Sequence, residues 1–377
     1  MKSFITTICL LTISTTYAQS DFFIFRYDLS QDEPRFTLGT EKHRTASVSF
    51  GDVDGDGDQD AIVANGRHWA EPNEIYLNTN GKYSSFFVLG NTHSTSYALE
   101  LADMDNDGDL DAVEGNDTAP HRIYLNDGHG KFEFLSTVGT VSSTRNVVLA
   151  DLDQNGFVDI IICNRGQQNE LCYNEGGLKF ECELLKTEKN STIDIAVADM
   201  NNDKRLDLIL ANRDNVPNAI YMNQGGRKFE KYREFGIGTF ETRSIAIADM
   251  NEDGFPDIVT GNLNSINTIY LGSADLTFKE TIPFGVEKED TYAIAIADFN
   301  KDGYDDILTG NYLSPGAVYL NQRGVAFERI SLFKGDYRTY DVAVGDINGD
   351  GWPDPLFANS DDFNFFMINN FKSQKGD

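Results

Sequence analysis

One nine-residue pattern recurs seven times along the 377 residues, starting at Asp52, Asp103, Asp151, Asp199, Asp249, Asp298 and Asp346. The spacing is 48 to 51 residues, and a fixed period of this length marks a chain built from stacked or radially arranged copies of one small unit. The second copy, Asp103-Met104-Asp105-Asn106-Asp107-Gly108-Asp109-Leu110-Asp111, shows the chemistry. Acidic side chains stand at positions 1, 3, 5 and 9, and a glycine stands at position 6. Oxygen ligands from alternate residues, with a glycine where the chain must turn sharply, are how a short loop wraps a hard cation.

The first copy places Asp52, Asp54, Asp56 and Asp60 at the four positions, and the second places Asp103, Asp105, Asp107 and Asp111. The third has Asp151, Asp153, Asn155 and Asp159; the fifth has Asp249, Asn251, Asp253 and Asp257. Asp298, Asn300, Asp302 and Asp306 form the sixth, and Asp346, Asn348, Asp350 and Asp354 the seventh. The fourth keeps Asp199, Asn201, Asp203 and Asp207 but has Lys204 in place of glycine, so it should be the weakest site. In the other six copies position 7, which offers its backbone carbonyl, is Asp58, Asp109, Phe157, Phe255, Tyr304 or Trp352. All donors are oxygens, with no His or Cys in the loops, so the expected ion is Ca2+, up to seven per chain. Position 12 is acidic only at Glu114 and no helical pattern flanks the loops, which excludes EF-hands.

The charge follows from the same pattern. The formal net charge is -29, and 23 of the 60 acidic residues lie at the four ligand positions. Seven divalent ions would bring the total to about -15. This acidity argues against nucleic acid as a partner. Residues 1–18 read as a signal peptide: Lys2, an apolar run from Phe4 to Ile13, then the small residues Thr16 and Ala18. The run is too short to span a bilayer and no transmembrane segment follows. The mature protein is expected to be secreted, periplasmic or on the cell surface. Beyond the signal, Cys163, Cys172 and Cys182 fall in the third repeat, allowing one disulfide and leaving one thiol.

Each repeat has one grammar. A strand alternating large and small apolar residues precedes the loop, as in 244–248, and a second follows it, as in 258–261. A third carries an aromatic centre such as Tyr76, Tyr124 or Tyr319, and a fourth follows a glycine turn. Four short strands joined by turns make an antiparallel meander. The expected fold is all-β: a seven-bladed β-propeller of four-stranded antiparallel blades, with calcium loops between the first two strands of each blade. Residues 19–377 should form this single propeller, an N-terminal strand within 22–38 completing the last blade.

The Asp-x-Asp/Asn-x-Asp-Gly-x-x-Asp loops between such strands resemble the FG-GAP/VCBS repeats of integrin α-subunit propellers and of many secreted bacterial and fungal proteins. The resemblance covers about residues 36–370 and departs from the pattern at Lys204. It implies the propeller and calcium. For function it implies a range, from adhesion modules and lectins to a few carbohydrate-active enzymes.

Comparing the repeats separates scaffold from speciality. Seven residues before each loop stands Thr45, Ser96, Thr144, Thr192, Thr242, Thr291 or Thr339, and thirteen past its start stands Asn65, Asn116, Asn164, Asn212, Asn262, Asn311 or Asn359. A residue needed in every copy is structural, capping turns or neighbouring backbone. The next position varies: Ala46, Tyr97, Arg145, Ile193, Arg243, Tyr292 and Tyr340, which should ring the channel mouth on the face away from the loops. Tyrosine and arginine suit sugars or peptides; packed against one another, they would instead plug the channel. Arg67, His68 and Trp69 add to this face, as do His43, His93 and His121. Glu100 and Glu114 replace apolar or small residues and are expected to face each other across paired strands, neutralised by an arginine such as Arg145 or acting as an acid/base pair. The resulting expectation is a secreted calcium-binding propeller acting as a recognition module for glycan or extracellular protein. The alternative is an extracellular polysaccharide lyase or hydrolase using Glu100, Glu114, His68 and His93.

Overall fold

Alternation of apolar and small residues over seven positions, ended by the aspartate loop, gives each repeat an inner strand such as Ser96–Ala102. The apolar run after the loop gives a fully buried second strand such as Asp159–Asn164. The outermost strand, such as Phe132–Val138, is mostly exposed. In a computed structural model, residues 23–24, 36–187, 191–236, 241–286 and 289–371 are described; the expected signal segment lies outside them.

Five four-stranded antiparallel sheets span residues 96–138, 144–184, 192–235, 241–284 and 291–331. A sixth sheet has six strands, in the order Thr339–Gly345, Asp354–Phe366, Thr37–Gly51, Asp60–Asn65, Glu74–Asn78 and Tyr83–Val88. The blades that stand as separate sheets therefore number six, not the expected seven. The reason is continuity of the backbone: Thr37–Gly51 is one 15-residue strand that pairs with Asp354–Phe366 at its start and with Asp60–Asn65 at its end. The first and last loop-bearing hairpins thus share one sheet. Near the ends of the chain, Phe23–Ile24 also pairs with Ile368–Asn369.

The inner strand of each repeat packs on that of the next, and Thr339–Gly345 packs on Thr37–Gly51, so the seven inner strands close into a ring. The core lies between neighbouring sheets rather than within one. Ala98, Val113 and Ile123 of the second repeat meet Val147, Ile160 and Ile162 of the third, and similar clusters fill the other junctions. Cys172 and Cys182, opposite each other on adjacent strands, form a disulfide, and Cys163 is buried and free.

Two features recur in every inner strand. The hydroxyl of the Thr or Ser donates to the Asn side-chain oxygen of the second strand, from 2.8 Å at Thr45–Asn65 to 3.0 Å at Thr192–Asn212. Immediately after it the register slips, between Thr45 and Ser47 for example, and likewise in each of the other six. A bulge of this kind leaves one residue unpaired and turns its side chain out of the ladder. The unpaired residues are Ala46, Tyr97, Arg145, Ile193, Arg243, Tyr292 and Tyr340.

A third residue links each repeat to the next. Asn218 accepts the Asn212 amide N–H at 2.8 Å and donates to Thr242 of the following repeat at 2.9 Å. Asn73, Asn169, Asn267 and Asn364 do the same. His121 stands in this place in the second repeat: its Nδ1 accepts the Asn116 N–H at 3.0 Å, and burial lowers its pKa. In the sixth repeat the place belongs to Gly316, and Phe333, Phe357 and Phe365 pack at the junction instead.

Thr242→Ala is expected to strand both the Asn262 oxygen and the Asn218 amide, costing about 2 kcal/mol in urea unfolding. Thr339→Ala, whose hydroxyl bonds Asn359 and receives no amide from Gly316, should cost about half as much.

Candidate functional site

The inner strands carry chemistry at both ends, the aspartate loops at one and the bulged residues at the other. In the second loop the Asp103 carboxylate accepts the Asp107 and Gly108 N–H groups at 3.1 and 3.0 Å. Asp105 accepts from Asp107, and Asp107 from Asp109. The glycine at position 6 has a positive φ, +100° at Gly108. Asp111 at position 9 is buried; its Oδ1 accepts the Asn126 N–H at 2.9 Å and its Oδ2 the Met104 N–H at 3.0 Å. The equivalent aspartates of the other six repeats make the same pair of bonds. Burial, reinforced by neighbouring loop carboxylates, raises the position 9 acids to about 6 at Asp60, Asp111, Asp159, Asp207 and Asp257, and to about 7 at Asp306 and Asp354.

This donor set fits a hard cation. In loops one to three, one carboxylate oxygen from each of positions 1, 3 and 9 lies within 4.8 Å of the others. Loops four to seven have Asn at position 3, so an amide oxygen takes the third acid's place. Two loops carry a competing cation. Arg205, at position 7 of loop four, pairs with Asp203, while Lys204 is held at φ +70° where the others have glycine. In loop three, Arg227 reaches across from the next repeat to Asp153 at 2.7 Å and also pairs with Glu175.

At the other end the seven bulged residues line one cavity of about 260 Å³. Tyr292 and Tyr340 meet edge to face at 4.9 Å, and Tyr312 stacks on Tyr292 at 5.2 Å. Arg243 lies 4.5 Å from the Tyr292 ring centre and 5.8 Å from that of Tyr340. Arg145 lies over Tyr97 and pairs with Asp117 at 2.9 Å. Arg67 lies over Tyr340 at 3.8 Å, and His68 is 3.0 Å from the Tyr97 hydroxyl. Trp69 is 66% exposed, outside the cavity lining, with Arg44 5.4 Å from its ring centre. His93 is exposed and away from the lining.

The two glutamates do not meet. Leu99 pairs with Glu114 and Glu100 with Val113, because the hairpin closes Ala102 on Asp111, one residue from symmetric closure about the loop, and the glutamates take opposite faces of the sheet. Glu114 is buried against the Ser96 and Tyr124 hydroxyls and paired with Arg122, not Arg145. Glu100 faces the cavity with Asp194 and Asp341. Burial, then the charges of those two aspartates, pushes Glu100 up to about 8; burial takes Asp341 to about 7. Asp194 and Asp341 were not among the sequence candidates. Their signal is a charged residue directly after the variable ring position, inside an otherwise apolar strand. Each caps its own bulge and reaches the next inner strand: Asp341 accepts the Val48 N–H at 3.0 Å, and Asp194 the Ile245 N–H at 3.0 Å.

A model of the FG-GAP-like repeat matches residues 52–114, 103–162, 151–210, 199–260, 249–309 and 298–357. Each match begins at position 1 of one loop and ends at position 12 of the next, so six overlapping matches span the seven loops. No curated protein matches the chain. Among solved structures, the BP39L lectin from Burkholderia pseudomallei superposes with a TM-score of 0.68 at 6% identity, over 87% of this chain and 97% of that one. BBS1N, solved in complex with ARL6DN and soaked with lead, superposes with a TM-score of 0.58 at 12% identity, over 87% and 92% of the two chains. The same complex soaked with mercury gives 0.56 at 12% identity, over 87% and 93%. These likenesses show the propeller fold.

Two outcomes follow from the geometry. Lys204→Gly should stabilise the chelated protein by about 1 kcal/mol in urea unfolding, because glycine tolerates positive φ, whereas Lys204→Ala should not. For Glu100, the folded carboxyl keeps its proton up to about pH 8 while the unfolded one loses it near its ordinary value of 4.5. Stability from this group is therefore full below pH 4.5 and falls as pH rises towards 8. Glu100→Gln should match the parent near pH 4 and exceed it by about 2 kcal/mol at pH 9, measured by denaturant unfolding at both values.

Proposed function

This chain belongs to the FG-GAP-like repeat family, and from that premise we propose that it is a secreted, calcium-stabilised propeller that binds glycan through the mouth of its channel. The observation that carries the reading is the ring of bulged residues. One structural device, repeated in every inner strand, turns a variable side chain into a single cavity, and four of the seven side chains presented there are Tyr97, Tyr292, Tyr340 and Arg243. Tyrosine faces offer flat apolar area to the C–H face of a sugar ring, and the hydroxyls and guanidinium offer hydrogen bonds at its edge.

Calcium would be held by positions 1, 3, 5 and 9 of each loop, with the position 7 carbonyl. Its role is to offset the carboxylate charge at one end of the strands and so fix the other end. Within this scheme the six-stranded sheet accommodates the first and seventh hairpins, which lets seven repeats share six sheets. The lectin with this fold is 6% identical, so it offers a precedent for the scaffold and none for the site.

A second reading, polysaccharide cleavage, rests on Glu100, whose raised pKa would keep a proton available near neutral pH. Glu114 and His93 do not reach that cavity, so Glu100 would act with Asp194 or Asp341. Loss of polysaccharide turnover in Glu100→Gln, with glycan affinity retained, would favour it.

Glycan binding is tested by screening the calcium-loaded protein on a glycan array and titrating the best hit. Tyr340→Ala and Tyr292→Ala should each weaken that hit by about tenfold, about 1.4 kcal/mol. No hit by the folded protein, or full affinity in both variants, would remove the mouth as the site.

A further inference from the structure

We propose that the rim of the cavity selects an acidic glycan, holding a sugar carboxylate between the guanidinium groups of Arg67 and Arg243 with the sugar ring against Tyr340 and Tyr292. This rests on the reading of the mouth as a glycan site and names the class of glycan.

The charge pattern makes these two arginines unusual. The chain has 60 acidic residues against 31 lysines and arginines, so acidic partners are plentiful. Other arginines on this face take one: Arg44 and Arg338 pair with Asp361, Arg145 with Asp117, Arg165 with Asp214 and Arg213 with Glu241. Among the described residues, Arg67 and Arg243 have no acidic partner. They come from the first and fifth repeats and converge on one ring of the seventh, at 3.8 and 5.8 Å from the Tyr340 centre. Arg67 gives one N–H to Ser360 at 3.2 Å, and its Nε is buried without a hydrogen-bond partner.

Two guanidinium groups converging on one aromatic ring repel each other, and a single anion between them reverses the sign of that interaction. Their planar forks match the two oxygens of a carboxylate. Tyr292, Tyr312 and Tyr340 form one aromatic cluster beside them, which favours a sugar ring over a flexible acidic side chain. Below the ring of bulged residues the lining offers the anion no further cation. Asp194 and Asp341 follow the bulged positions directly, and Glu100 lies three residues along its strand from Tyr97, about 10 Å deeper. A carboxylate pushed past the arginines would meet all three. At about 260 Å³ the cavity is smaller than pockets that enclose whole drug-sized ligands, so it takes one unit of a longer chain.

The test is calorimetric titration of the full, calcium-loaded chain with a galacturonic acid tetramer and with the same tetramer methyl-esterified, which removes the charge and keeps the sugar. The acid form should bind at least tenfold tighter than the ester. Arg243→Gln and Arg67→Gln should each weaken the acid form at least fivefold more than the ester, with urea unfolding of each variant as the control for folding. Arg243→Lys should recover part of the loss. Equal affinity for acid and ester, or no effect of either glutamine variant, would overturn the acidic selection while leaving the mouth as a glycan site. Binding of neither form, by protein that is folded and recognises no other glycan, would overturn both. Tighter binding of a tetra-aspartate peptide than of the acid tetramer would replace the glycan with an acidic peptide.

Discussion

Seven aspartates buried at position 9 of their loops are the constraint on which the rest of the structure depends. Each gives one carboxylate oxygen to the N–H just inside its own loop and the other to the end of the third strand. That pair of bonds ties the loop, the hairpin and the third strand into one unit. A buried carboxylate beside two or three others is costly unless something offsets the charge. The backbone N–H groups offset part of it, and a divalent ion at each loop would offset the rest. Arg205 and Arg227 show a second solution, in which an arginine takes the place of some of that charge at loops four and three.

The opposite ends of the same strands show how a repeated scaffold makes a singular site. The hydroxyl–amide pair holds the rim in every repeat, and the bulge beside it frees one residue from packing duties. What stands there can vary from Ala46 to Arg243 without disturbing the ladder. The cavity is therefore a readout of seven independent choices: Tyr292, Tyr340 and Arg243 cluster together with Arg67, and Arg145 packs on Tyr97. Beneath them Asp194 and Asp341 join neighbouring inner strands, which links rim rigidity to the same polar network.

Much of this was legible in the sequence because it is periodic. The loops, the Thr–Asn pairs and the variable ring all recur at a fixed offset, so comparing copies within one chain separated scaffold from exception. The features that escaped are non-periodic or depend on register. The register at which a hairpin closes cannot be read from alternation, and closure of Ala102 on Asp111 is what sends Glu100 and Glu114 to opposite faces. His121, expected among the loop residues of this face, does the work of the asparagine found at that place in five other repeats. The separate sheets fall one short of the count of repeats because Thr37–Gly51 runs unbroken through what the pattern divides into two strands. Asp194 and Asp341 were hidden by the opposite effect, being polar exceptions inside strands read for their apolar alternation.

The central claim is that charge compensation at the aspartate loops holds the ring together, and thermal unfolding with and without calcium tests it most directly. The account predicts that millimolar calcium raises the Tm of the chelated protein by several degrees or more, since even one site at a hundredfold its Kd contributes about 2.7 kcal/mol, and that magnesium at the same concentration does much less. Superimposable unfolding curves in calcium and in chelator would contradict it.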